Sequence, residues 1–393
     1  MRGDIKVDKI KLIMSAAVEY ENVIYFSPVY INGLFKLDLE TKKISFICRF
    51  DEREVCYALY RFACIYKNEI WFIPYHASKI AIVNMQTFAI EYISPLYHKV
   101  VKAGVKYRGG MLYCKAEIIK EKCLCLIPSS VDSVLIINME TRELIPFYDV
   151  IKADEFLDGG AYDPIQDCIW MQFTQGKNGI LKLSLIDGKI ERYGYPFNER
   201  NYGFYYYQES LFMSPGNDGY IRSINTNNLH ITSYPIEKEN DKERYFWMIS
   251  REDELWFLPG DEPKIMVWDK ISKQTKIKRL EGNFDKNIPF SIVSIPSKDK
   301  IIFTTEYTNC IYIYNDTNIL EKIEVEWIRD NICNDIEKNV YGMGLKKMQK
   351  EGIYFEDSSC LNINVFIDFI DILNENQRNT ERNGNHIYRN INV

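Results

Sequence analysis

Short apolar and aromatic runs separated by polar, glycine or proline breaks recur along most of this chain. The stretch EIWFIPYHASKIAIVNMQT (69–87) shows the unit: an aromatic run, a proline, a polar break, then a second apolar run closed by Asn84. Similar units read VIYFSPVYINGLFKLDLET (23–41), KCLCLIPSSVDSVLIINMET (122–141) and CIWMQFTQGKNGILKLSL (168–185). Three more are SLFMSPGNDGYIRSIN (210–225), ELWFLPGDEPKIMVWD (254–269) and KIIFTTEYTNCIYIYN (300–315). Aligned on Pro28, Pro74, Pro128, Phe173, Pro215, Pro259 and Thr305, they repeat at 46, 54, 45, 42, 44 and 46 residues. A second anchor, at Asp38, Asn84, Asn138, Ser184, Asn225, Asp269 and Asn315, follows the first by 10 residues, or by 11 in the fourth unit. A period near 45 residues is the signature of a repeat architecture, and it has to be recognised before any local structure is assigned.

Within each unit the two runs predict a β-hairpin, with proline where the ladder stops because it has no N–H to donate. A D/N-x-x-T turn then leads to a further run, such as KISFICRF (43–50), and another run precedes each hairpin, such as RFACIY (61–66). Four strands per repeat and seven repeats predict an all-β fold, a seven-bladed β-propeller of four-stranded antiparallel blades over 1–327. The predicted hairpins lie near 23–41, 69–87, 122–141, 168–187, 210–228, 254–275 and 300–318. The blade phrase, I-W-F-x-P followed by I-x-x-x-D/N, resembles the bacterial seven-bladed propellers of the streptogramin-lyase-like and kelch-like kind over about residues 10–327. Either Asp4 to Asp8 or a C-terminal strand is a candidate for latching the ring. Residues 328–393 break the period and form a small α/β appendage, with GIYFED (352–357) as an extra strand. An amphipathic helix is expected near 362–377, carrying Val365, Phe366, Phe369, Ile370 and Leu373.

Composition adds constraints. Hydrophobic residues make up 46% of the 393 and aromatics 14%, ample for a large strand-built core. A net charge of −6 without a clustered basic face argues against nucleic acid. No run of about 18 apolar residues argues for a membrane span, and the N-terminus, with charges interleaved among short apolar runs, lacks the pattern of a signal peptide. Ten cysteines, most of them inside apolar runs, suit a reducing, cytoplasmic setting. Cys123 and Cys125, close to Cys114, have no matching second pair, so a buried structural role is expected over a metal site.

In this strand order the loops between second and third strands share one end of the ring with the crossings between blades. On these loops the candidate ligand contacts are Tyr75, His76, Gln175, Lys177, Asn217, Asp218, Asp261, Glu262, Glu306 and Tyr307. The crossings Asp51 to Glu54 and Tyr97 to Lys99 add polar groups to the same rim. The resemblance to the lyases implies a His, a Glu and Mg²⁺ on such loops. Here the corresponding T-E occurs only as Thr305-Glu306, and His76 alone among the four histidines lies in such a loop. Asn217-Asp218 and Asp261-Glu262 carry oxygen ligands suited to Ca²⁺, but read first as plain turns. Tyrosines of GFYYYQ (203–208) are expected on inner strands. No catalytic residue, cofactor or metal is assigned. The expected role is non-catalytic binding or scaffolding of a protein or peptide partner, or of a small-molecule ligand, on the loop-rich face. The alternatives are a lyase- or hydrolase-type enzyme at the mouth, and a partner subunit of a modification or biosynthesis system.

Overall fold

A computed structural model of the chain describes residues 14–29, 32–52, 58–99, 112–152, 155–175, 179–195, 204–215, 219–236, 245–259, 264–279, 290–296, 300–305, 310–315 and 320–324. It shows seven sheets of four antiparallel strands arranged in a ring, each sheet made of four consecutive strands. The blades run Met14–Cys48, Tyr60–Ile93, Tyr113–Phe147, Phe156–Gly194, Phe204–Pro235, Tyr245–Arg279 and Phe290–Glu324. First strands of neighbouring blades approach one another around the axis, and fourth strands lie at the perimeter. The tyrosines of 204–207 fall on a first strand, and the predicted appendage at 328–393 lies outside the described residues.

The alternation of the second strand explains the aromatic phrase. Successive side chains on a strand point to opposite faces, and here the two faces meet two different blades. Trp71, Cys125, Trp170, Phe212 and Trp256, three residues before the first anchor, pack toward the following blade. Phe72, Leu126, Met171, Met213 and Phe257, one residue later, pack toward the preceding blade. Apolar side chains on both faces are therefore the seam on both sides of a blade, and each fully buried Trp contributes on the order of 2–3 kcal/mol.

The end carrying the first-to-second and third-to-fourth strand turns is uniform. Anchor side chains Asp38, Asn84, Asn138, Asn225 and Asp269 each accept two backbone N–H bonds from the residues two and three positions on. Ser184 bonds Asp187 in the same place. The residue four after each anchor is left-handed: Lys42, Phe88, Arg142, Gly188, Leu229 and Lys273, with φ between 57° and 71°. Five of these six are not glycine, although left-handed backbone costs an ordinary residue about 1–2 kcal/mol. Their side chains reach the preceding blade. Lys42 pairs with Glu321, Phe88 meets Tyr25 at 6.4 Å, and Arg142 bonds Glu69 at 2.5 Å while lying over Trp71. Leu229 joins the cluster between blades four and five, and Lys273 lies over Tyr234. At Gly188, Phe147 of the preceding blade approaches instead, 3.7 Å from where a Cβ would stand.

Among the described residues blades one and seven each hold four strands of their own. Asp4 to Asp8 and the C-terminal segment lie outside the described residues. The ring closes face to face through contact of the two first strands. It is tied by a largely buried Lys300–Glu19 pair at 2.6 Å and by Lys42–Glu321.

Candidate functional site

At the opposite end, loops and crossings are unequal in length and sequence. First strands of blades one, two, three and six each carry one extra residue against the end of the second strand, at Ser15, Arg61, Cys114 and Phe246. Bulges of this kind redirect a side chain at a sheet's end. In blade two the redirected residue is Arg61, whose guanidinium lies 4.9 Å from the centre of the Tyr75 ring.

The Tyr75–His76 loop is held from below. Backbone N–H groups of Tyr75, His76 and Ala77 all donate to the Leu59 carbonyl, at 2.9, 3.1 and 3.0 Å, and Leu112 donates to the Tyr75 carbonyl at 2.7 Å. The Tyr75 ring is buried, with the His76 ring edge-on at 4.6 Å. Glu52, on the crossing from blade one, accepts from Ser78 N at 2.9 Å, Ser78 Oγ at 3.1 Å and Lys79 N at 3.3 Å. Burial raises the Glu52 carboxyl above its ordinary range, against the bonds from Ser78 and Lys79 that lower it. Asn32, buried in the blade-one loop, donates to the Phe50 and Glu52 carbonyls at 3.1 and 3.2 Å. Loop and crossing are thus one polar assembly.

A second assembly lies beside it on blade three. Asp132 is fully buried and accepts from the backbone of His98 at 3.0 Å and Lys99 at 3.4 Å. Its own N–H donates to the Lys99 carbonyl, and its carbonyl accepts from Val150. His98 stacks on Tyr148 at 3.7 Å, with its Nδ1 4.0 Å from Asp132 Oδ2. Asp132 therefore fastens two successive crossings to one loop.

Of the residues expected from sequence, Tyr75 and His76 fall in the first of these assemblies. Gln175 ends the second strand of blade four. Lys177, Asn217, Asp218, Asp261, Glu262, Glu306 and Tyr307 lie outside the described residues, and with them the pairing of His76 with Glu306. Arg61 escaped the sequence reading, and Asp132 was not singled out within its loop. The signal for Arg61 is a cation on an otherwise apolar run one residue past the start of an inner strand, and it becomes legible once the bulge register is known. Cys125 is buried with its thiol pushed up by burial, and Cys64 and Cys168 are pushed to about 12 by the same cause. These thiols are held as the unreactive, protonated form. Among the described residues no three His, Cys, Asp or Glu side chains gather as a metal ion would require.

The arrangement offers a cation, two aromatic rings and a row of backbone-anchored loops at the mouth of a seven-bladed β-propeller. Solved structures of that fold are similar to it. The inactive virginiamycin B lyase of Staphylococcus aureus with quinupristin shares 14% identity over 75% of this chain and 92% of its own, with a TM-score of 0.56. PorZ, a surface component of the type-IX secretion system of Porphyromonas gingivalis, shares 10% over 82% of this chain and 39% of its own, at 0.55. YCF48 bound to D1 peptide shares 12% over 81% and 94%, at 0.52. No family model and no curated protein matches the chain.

Proposed function

We propose that the chain is a binding module that takes a peptide segment of a partner protein on its loop-rich face, across blades two and three. The observation that carries this reading is the Arg61–Tyr75–His76 group, set on a single carbonyl by three N–H bonds and so preorganised before a ligand arrives. A guanidinium against a phenol ring favours acidic and aromatic side chains. The peptide-bound state of one similar propeller, YCF48, supports the class of ligand. Buried, protonated thiols suit a reducing compartment, and the module is assigned to the cytoplasm.

The test is selection of a displayed random dodecapeptide library on the full chain, followed by titration of selected peptides. Arg61→Ala and Tyr75→Ala are expected to weaken binding at least tenfold, while Lys189→Ala on the turn face leaves it unchanged. Equal affinity for all four proteins, or selection of no peptide, sinks the reading.

A further inference from the structure

In three loops the residue four past the first anchor fastens a neighbouring crossing. In blade one Asn32 donates its amide to the Phe50 and Glu52 carbonyls, and in blade two Ser78 donates to the Glu52 carboxylate. In blade three Asp132 fills this position, and its Oδ1 accepts from His98 N and Lys99 N. An asparagine would accept the same two bonds through its carbonyl oxygen. Fastening therefore accounts for one oxygen of Asp132 and not for the other. Oδ2 is buried with no hydrogen-bond partner, which is costly for a carboxylate oxygen. It faces His98 Nδ1, 4.0 Å away.

The His98 ring is held in place at the surface. It lies flat on Tyr148, 3.7 Å away and inclined by 13°, while the side chain stays 61% exposed. With Nδ1 turned to the buried carboxylate, Nε2 on the other side of the ring is turned to the rim. Around the pair, the described titratable groups are Tyr97 and Lys99 beside His98, Tyr148 and Asp149 on the following crossing, and Tyr113 on the first strand of blade three. Lys99 and Asp149 pair with each other at 3.8 Å, so Asp132 is the charge left to the imidazole. A carboxylate behind one ring nitrogen fixes which tautomer is present and leaves the other nitrogen to accept.

Backbone bonds tie this pair to the Arg61–Tyr75–His76 group. Leu112 N donates to the Tyr75 carbonyl at 2.7 Å, and Ser129 N, in the loop that carries Asp132, donates to the Leu112 carbonyl at 2.9 Å. Each such step spans about 5 Å, so roughly five residues of extended peptide reach from one group to the other.

We propose, on the basis of that peptide site, that His98 set by Asp132 is its second anion contact, and that an acidic peptide binds there together with a proton. The proton passes from solvent to Nε2, Nδ1–H stays directed at Asp132 Oδ2, and the imidazolium pairs with a ligand carboxylate. Affinity for acidic peptides then rises as pH falls from about 8 to 6, across the range where imidazole titrates and peptide carboxylates stay ionised.

Two measurements on the full-length chain test this. ¹⁵N NMR of the histidine side chains, with His98 assigned by its loss in His98→Gln, is expected to show its neutral form as the Nδ1–H tautomer. Asp132→Asn keeps an oxygen for the two backbone bonds and turns an N–H toward Nδ1, and is expected to switch His98 to the Nε2–H tautomer. Calorimetric titration with acetyl-Glu-Tyr-Glu-Tyr-Glu-amide is expected to give at least threefold higher affinity at pH 6 than at pH 8, with heats that change with the buffer's ionisation enthalpy as proton uptake requires. His98→Gln and Asp132→Asn remove the uptake. An Nε2–H tautomer in the wild type, uptake undiminished in His98→Gln, or no binding of this peptide at pH 6 overturns the proposal. Binding that needs Arg61 and Tyr75 but is indifferent to His98→Gln also overturns it, and leaves the peptide site standing. Binding that needs His98 while Arg61→Ala and Tyr75→Ala are silent supports the anion contact and sinks the site built on Arg61.

Discussion

Gly160 has no room for a side chain. A Cβ there would stand 2.6 Å from the Trp170 carbonyl and 2.7 Å from Ile127 Cδ1, where blades three and four meet near the axis, and Lys115 Nζ reaches the Gly160 carbonyl at 2.5 Å. Gly160→Ala is expected to cost about 1–3 kcal/mol, as overpacking does, read as a lowered urea midpoint at unchanged slope. At Asn84 the side-chain oxygen accepts from Gln86 N, Thr87 N and Thr87 Oγ1 within 3.1 Å. Asn84→Ala loses these bonds and is expected to cost about 1 kcal/mol. Glu52 gives a pH signature. Its carboxyl is raised by burial, so as pH rises the unfolded chain sheds its proton first and the native state is left holding the more strained charge. Its contribution is therefore most favourable below the unfolded value, near 4.3, and falls as pH climbs through the folded one. Glu52→Gln removes this dependence, so the midpoint of the variant relative to the wild type is expected to be higher at pH 7 than at pH 4. A difference that does not move with pH would show that the Ser78 and Lys79 bonds offset burial completely.

The left-handed turn residues trade local strain for contact with the blade behind. Gly188→Ala introduces the strain without a long side chain to use it, and is expected to cost about 1 kcal/mol. Arg142→Gly relieves the strain yet loses the Glu69 bond and the stack on Trp71. It is expected to destabilise, with the first increase in hydrogen exchange at the seam between blades two and three. The sequence makes the anchors of these turns plain, because Asp38, Asn84 and Asn138 recur at a fixed offset with a Thr three residues on. It hides the left-handed position, because Lys42, Phe88, Arg142, Leu229 and Lys273 mix cations with apolar residues and none is a habitual turn former. Their common property is direction, which only the ring supplies. The blades themselves were legible because both faces of every second strand are buried, which writes the repeat in aromatic residues.

For the whole ring, the seam between blades seven and one is where the first and last blades meet. Lys300 and Glu19 are both largely buried there. Lys300→Ala leaves a mostly buried carboxylate without its partner and is expected to cost about 3 kcal/mol. Accelerated exchange in 14–20 and 300–305 before other blades would locate the loss. The binding mouth was legible only in part. Tyr75 and His76 stand out as what the blade template does not require. The partners that hold or flank them, Glu52, Leu59 and Arg61, come from a crossing and a bulge whose geometry no motif announces. The backward reach of the turn residues bears on how such a chain can change in length. Of the first six blades, all but the fourth bring their own fastener for the neighbour they follow, as Arg142 does for blade two and Lys273 for blade five. A duplicated blade would arrive with its coupling already in place, and would ask of the ring only an aromatic or acidic residue to hold.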